Sequence, residues 1–111
     1  MNGAPLYRDT LALCGVLLAE LEVASGYERL RGHMADAALR LLDHISLALA
    51  GFDRLERVAQ ADAELCTLRT HLQLALELEL LDEDAFLALA EQADVIGRQL
   101  GRWLKKLRAT S

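Results

Sequence analysis

Proline occurs once in this chain, at Pro5, and asparagine not at all after position 2. Few turn formers leave long uninterrupted segments, which favours helix over strand. Aromatic residues are only 5% of the chain while 53% is hydrophobic, so the core has to be built mostly from leucine and alanine. Long apolar runs are missing as well. Acids interrupt every one before the roughly 20 residues of a membrane-crossing helix. Met1 to Pro5 lack the basic-then-apolar shape of a secretory signal, so the expectation is a cytoplasmic protein with no membrane partner. Only two cysteines occur, Cys14 and Cys66, both inside leucine-rich patterns, and both are expected as buried, reduced thiols.

The motifs of several chemistries are absent too. There is no Gly-rich phosphate loop, nucleophile elbow or CxxC pair. A helical bundle can hold two irons through Glu-x-x-His pairs, but no acid stands three residues before His33, His44 or His71. The three histidines share no i, i+4 spacing and read as surface or bundle-edge residues. Cys14 with a distant histidine has no sequence support as a nucleophile pair. The expectation is therefore no catalytic residue, no metal, no cofactor and no enzyme activity.

What is present is a heptad-like rhythm in four blocks. Leu6, Thr10, Leu13, Leu17, Leu21 and Ala24 form the first stripe, and Met34, Ala38, Leu41, Ile45, Ala48 and Phe52 the second. Val58, Ala61, Leu65, Leu68, Leu72 and Ala75 form the third; Phe86, Leu89, Ala93, Ile96, Leu100, Trp103 and Leu107 form the fourth. Steps of three and four put each set on one side of a helix. Helices are expected over about 6–24, 30–50, 54–80 and 83–108. Four such stripes hide by packing on one another. The 111 residues are thus read as one all-α domain, an antiparallel up-down-up-down four-helix bundle. Ser25-Gly26 should end the first helix with left-handed geometry at the glycine. Asp53 should cap the third helix and Asp82 the fourth, with Glu83 and Asp84 matching its dipole.

Charge is unevenly spread. The net charge is −5, yet five of the twelve Lys and Arg residues and the only Trp lie in "VIGRQLGRWLKKLRATS". Between Thr70 and Gly97 there is no Lys or Arg against seven acids, which predicts an acidic and a basic region in the fold. Arg98, Arg102, Lys105, Lys106 and Arg108 project opposite Ile96, Leu100, Trp103 and Leu107, and Asp94 is spaced to pair with Arg98 at i, i+4. Gly97 and Gly101 each cost about 1 kcal/mol against alanine inside a helix. The expected compensation is close approach of another backbone, within the bundle or from another subunit.

The run "LALAGFDRLERVAQADAELCTLRTHLQLAL", the acidic turn "LLDEDAF" and the ending "VIGRQLGRWLKKL" resemble the four-helix-bundle proteins encoded in 23S ribosomal RNA intervening sequences. The resemblance is stronger to the accessory variability determinant proteins of diversity-generating retroelements. It runs from about Leu6 to Leu107 and is carried by Ala50-Gly51, Ala61-Asp62-Ala63, Leu68-Arg69, Gly97-Arg98, Leu100 and Trp103. It implies a homopentameric ring of bundles and partners of a particular kind, a reverse transcriptase and its template RNA. Arg69 and Arg98 fall where these relatives place arginine, Arg54 where the intervening-sequence proteins often do, and Lys106 where the retroelement proteins carry a basic residue. Two departures stand out: "HISLALAGF" lacks the Pro, Asn and Glu of the intervening-sequence proteins, and the retroelement proteins are strongly basic where this chain is acidic.

The functional expectation is a non-enzymatic oligomeric accessory or scaffold protein. Arg54, Arg57, Arg69, Arg98, Arg102, Lys105 and Lys106 are its candidate nucleic-acid-binding residues, and Gly97 and Gly101 its candidate helix-packing or oligomer contacts. The alternatives are an intervening-sequence type of bundle, a pure protein–protein assembly module that binds no nucleic acid, and a small-molecule enzyme at subunit interfaces.

Overall fold

A computed structural model describes residues 3–110. Of the amino-terminal segment discussed above, Met1 and Asn2 lie outside the described residues, as does Ser111 of the basic tail. Four helices account for nearly all the rest: α1 Ala4–Val23, α2 Glu28–Leu49, α3 Arg54–Glu77 and α4 Glu83–Thr110. At 1.5 Å per residue the 28 residues of α4 span about 42 Å. The molecule measures 45 × 22 × 20 Å, so it is one helix long and two helices wide. Connections of four or five residues can only turn the chain back on itself at that length, and the helices alternate in direction. Each helix packs on its neighbours in sequence, α1 closes against α4, and the diagonal pairs make no backbone contact among the described residues. The antiparallel four-helix arrangement follows.

The stripes read from sequence form the core. Leu6, Leu13, Leu17, Met34, Leu41, Ile45, Leu68, Leu72, Leu89 and Ile96 are fully enclosed, and Trp103 is 7% exposed. Thr10 lies among them because its hydroxyl donates to the Leu6 carbonyl at 2.7 Å, which satisfies the polar atom inside its own helix. Phe52 departs from the expectation. It is 60% exposed, because α2 stops at Leu49 and a Schellman turn follows. Gly51 has φ +97, its N–H donates to the Ala48 carbonyl, and the Phe52 N–H donates to that of Leu47. That geometry throws the Phe52 side chain off the stripe.

The other ends differ in similar ways. Asp82 caps α4 as expected, its carboxylate accepting the Ala85 N–H at 2.8 Å. Asp53 precedes α3 but makes no side-chain cap; its own backbone is left-handed, φ 45. Gly26 has the expected positive φ of 82, but α1 ends at Val23 and Ala24 is extended, so the glycine shapes the entry to α2 rather than the end of α1. Arg31 then holds the turn, donating to the carbonyls of Gly26 at 2.7 Å and Leu21 at 3.3 Å. α3 ends at Glu77 rather than near 80. Glu79 takes φ 59, with Glu79 N–H to the Leu76 carbonyl and Leu80 N–H to that of Ala75, a second Schellman turn without a glycine. A left-handed residue bearing a Cβ costs roughly 1–2 kcal/mol. Glu79→Gly should therefore raise stability by about 1 kcal/mol, less the extra entropy of glycine in the unfolded chain. Urea unfolding followed by circular dichroism measures it.

Candidate nucleic-acid interface

Alternation of direction places both termini of the described chain, the α2–α3 turn and the end of α4 at one end of the bundle. With each helix divided at its midpoint, this half holds nine Lys or Arg against six Asp or Glu, a net charge of +3. The other half holds three against eleven, a net charge of −8. Uneven charge along the sequence thus becomes a basic and an acidic half in space.

Within the basic half the candidate residues split up. Arg102, Lys105 and Lys106 are exposed along α4, and Arg108 follows in its last turn, where a cation suits the helix C-terminus. Arg54 and Arg108 border one groove at the end of the bundle, shared with Asp53 and Glu56. Arg54 Nε donates to the Ala48 carbonyl at 3.3 Å and so caps α2 as well. Arg57 turns away from this surface: its guanidinium lies 3.2 Å from His44 Nδ1, in the seam between α2 and α3.

Arg69 and Arg98 come together on a different face. Both line a groove of about 550 Å³ between α3 and α4, with Asp62, Cys66, Asp94 and Gly97. Asp94 does not pair with Arg98; it accepts from Arg69 Nη2 at 2.5 Å, across the two helices. Both partners of this ion pair are about half exposed, so its contribution is at most about 1 kcal/mol. Arg98 projects beside it from the rim. Neither glycine is held by a neighbouring backbone of the bundle. A Cβ at Gly97 would meet Arg69 Nη1 and Leu65 Cδ2 at 3.5 Å, ordinary contact, and at Gly101 nothing within 4 Å. The expectation of tight packing inside the bundle is corrected accordingly.

The cysteines also part company. Cys14 is buried, and its thiol donates to the Ala38 carbonyl at 3.3 Å. Burial first, then the nearby Asp43 carboxylate, push that thiol up to about 11. Cys66 is exposed in the α3–α4 groove, contrary to the expectation for it. Its place one step from Leu65 on the helix wheel puts it just outside the buried stripe. An alkylating reagent at pH 8 should modify Cys66 readily and Cys14 only once urea opens the fold, because the thiolate is the reacting form. Peptide mass mapping reads this out, and equal rates would contradict the burial of Cys14.

His33 and His71 meet edge-on across α2 and α3, ring centroids 4.9 Å apart. Among the described residues no three His, Cys, Asp or Glu side chains gather as metal ligands would, and no helix is long and apolar enough to cross a membrane. Compared with known proteins, the chain matches no family model, no curated protein and no solved structure.

Proposed function

We propose that this protein is a non-enzymatic oligomeric scaffold that presents its basic half to single-stranded RNA, as an accessory subunit of a reverse transcriptase would. One observation carries the reading: the fold concentrates a net +3 in one half of a chain whose total is −5. A backbone phosphate responds to local cations and not to the total, so an acidic protein can bind RNA through such an end. Arg102, Lys105 and Lys106 make the main contact, Arg54 extends it at the α2–α3 turn, and Arg69 with Arg98 forms a separate site on the α3–α4 face. Arg57 stays a structural residue beside His44. The resemblance to the retroelement proteins adds a ring of five, with five basic ends on one rim. Gly101, uncovered within the bundle, marks where a ring seam would admit a second backbone, with Gly97 one turn before it under the Arg69 and Leu65 side chains.

The test has two arms. Anisotropy of a labelled single-stranded RNA of about twenty nucleotides should show affinity falling steeply from 50 to 200 mM salt, since bound phosphates release counterions. Binding that ignores salt, or no binding at 50 mM, overturns the nucleic-acid reading. Light scattering should give a whole multiple of five times the 12.2 kDa chain mass; a monomer, dimer or other mass that is no multiple of five overturns the ring.

The second reading, an assembly module without nucleic acid, draws on the Arg69–Asp94 pair, which already satisfies one of the two arginines that the relatives share. It requires the basic half to face protein.

A further inference from the structure

α1 is apolar on two sides. Its inner stripe is core, and between Asp9 and Glu20 it has no charged residue at all. The outer side carries a second stripe, in which Ala4, Arg8, Leu11, Gly15, Leu18 and Glu22 step by four, three, four, three and four. This is the spacing of a helix seam, and no element among the described residues covers it. Leu11 is 42% exposed, and Tyr7 and Val16, on its flanks, are 43% and 39% exposed. At its centre a Cβ on Gly15 would meet nothing within 4 Å.

We propose that this face binds a second copy of the chain, with the two α1 helices antiparallel about a two-fold axis through Gly15. Charge selects both the occupant and the direction. The two charged residues of the stripe, Arg8 and Glu22, lie seven positions on either side of Gly15 and are opposite in sign. Neither has an ion-pair or hydrogen-bond partner among the described residues. Antiparallel pairing about Gly15 sets Arg8 of each copy against Glu22 of the other, twice by symmetry. A parallel pairing would set Arg8 on Arg8 and Glu22 on Glu22. In the same register Leu11 meets Ala19 and Ala12 meets Leu18, large against small on each side of the glycine. Small residues there permit a helix separation of about 8 Å. The molecular charge agrees: antiparallel copies lay the +3 half of one beside the −8 half of the other.

This contact goes beyond the RNA reading and does not depend on it. It also differs in kind from a ring seam, which joins unlike surfaces, whereas the α1 face joins itself.

Two experiments test it on the full chain. With Cys66→Ser removing the exposed thiol, Gly15→Cys should form a disulfide-linked pair on mild oxidation, seen on a non-reducing gel. Gln73→Cys, exposed on α3, should not. The buried Cys14 does not compete. Because a side chain at position 15 could itself push the helices apart, charge exchange supplies an independent measure. Arg8→Glu and Glu22→Arg should each weaken self-association at least tenfold in sedimentation equilibrium, and the double exchange should restore it. Both side chains are exposed, so the helical circular dichroism should stay unchanged in all variants. Single exchanges that leave association unchanged, a double exchange no better than either single, or a protein that stays monomeric throughout overturns the proposal and leaves α1 to a different partner. Loss of RNA binding with the cross-link and exchange pattern intact counts against the RNA reading alone.

Discussion

Trp103→Ala should lower the unfolding free energy by about 3–5 kcal/mol, the usual loss when a large aromatic leaves a core. Trp103 is 7% exposed and belongs to the central cluster, where α4 closes the bundle against α1 and α3. Domains of this size hold only about 5–15 kcal/mol in total, so the variant gives up roughly a fifth or more of its stability. At roughly 4 °C or more per kcal/mol the melting temperature falls by at least about 12 °C. The only tryptophan is lost with the substitution, so urea unfolding has to be followed by circular dichroism at 222 nm. The result also decides what the residue is for. A tryptophan that stacks on bases would cost RNA affinity and little stability; a core tryptophan does the reverse. A loss under 1 kcal/mol would contradict its placement.

The second large effect concerns the basic half. Replacing Arg102, Lys105 and Lys106 together by glutamate should weaken single-stranded RNA binding by two to three orders of magnitude at 50 mM salt. On single strands each phosphate contact contributes about 0.7 to the slope of log affinity against log salt. At 50 mM that amounts to roughly one decade per contact, and the slope itself should flatten by about 2. All three side chains are exposed and precede the last turn of α4, where Arg108 stands, so the fold should lose less than about 1 kcal/mol for each. Arg57→Gln serves as the contrast: its guanidinium lies against His44, and affinity should hardly change. Equal affinity for the triple variant and the unaltered chain would favour the assembly reading.

Much of the bundle could be read before any coordinates. All six residues of the third stripe are buried, from Val58 to Ala75, because apolar spacing of 3.6 is a property of one helix alone. Asp82 was legible for the same reason: an N-cap carboxylate and the N–H it accepts are three residues apart. Gly51 was legible as a turn, but the fate of Phe52 was not. Whether a stripe runs one step further depends on where the helix stops, and a Schellman turn moves that point. Glu79 shows the same limit from the other side. Nothing in a glutamate announces a left-handed backbone; it goes with the Schellman hydrogen bonds of Glu79 and Leu80 and with the burial of Leu81 two residues on. Gln99 and Leu104 were missed as buried residues because they flank the α4 stripe, and flanks are covered only when a neighbour arrives; Gln99 Nε2 donates to Asp9 of α1 at 2.7 Å.

The sequence by itself determined four amphipathic helices, their order and their short connections. Each of those follows from contacts between residues a few positions apart, and such contacts are settled by local spacing. Only the tertiary structure decided which partner each surface charge takes. Asp94 had Arg98 one turn away on its own helix and Arg69 on another, and the neighbouring helix won because α3 presents its guanidinium across the groove. The same step turned charges scattered along the chain into two halves of opposite sign, and left the outer stripe of α1 uncovered. Those outcomes depend on which helices lie side by side and which way they run, and that is a property of the closed bundle rather than of any single segment.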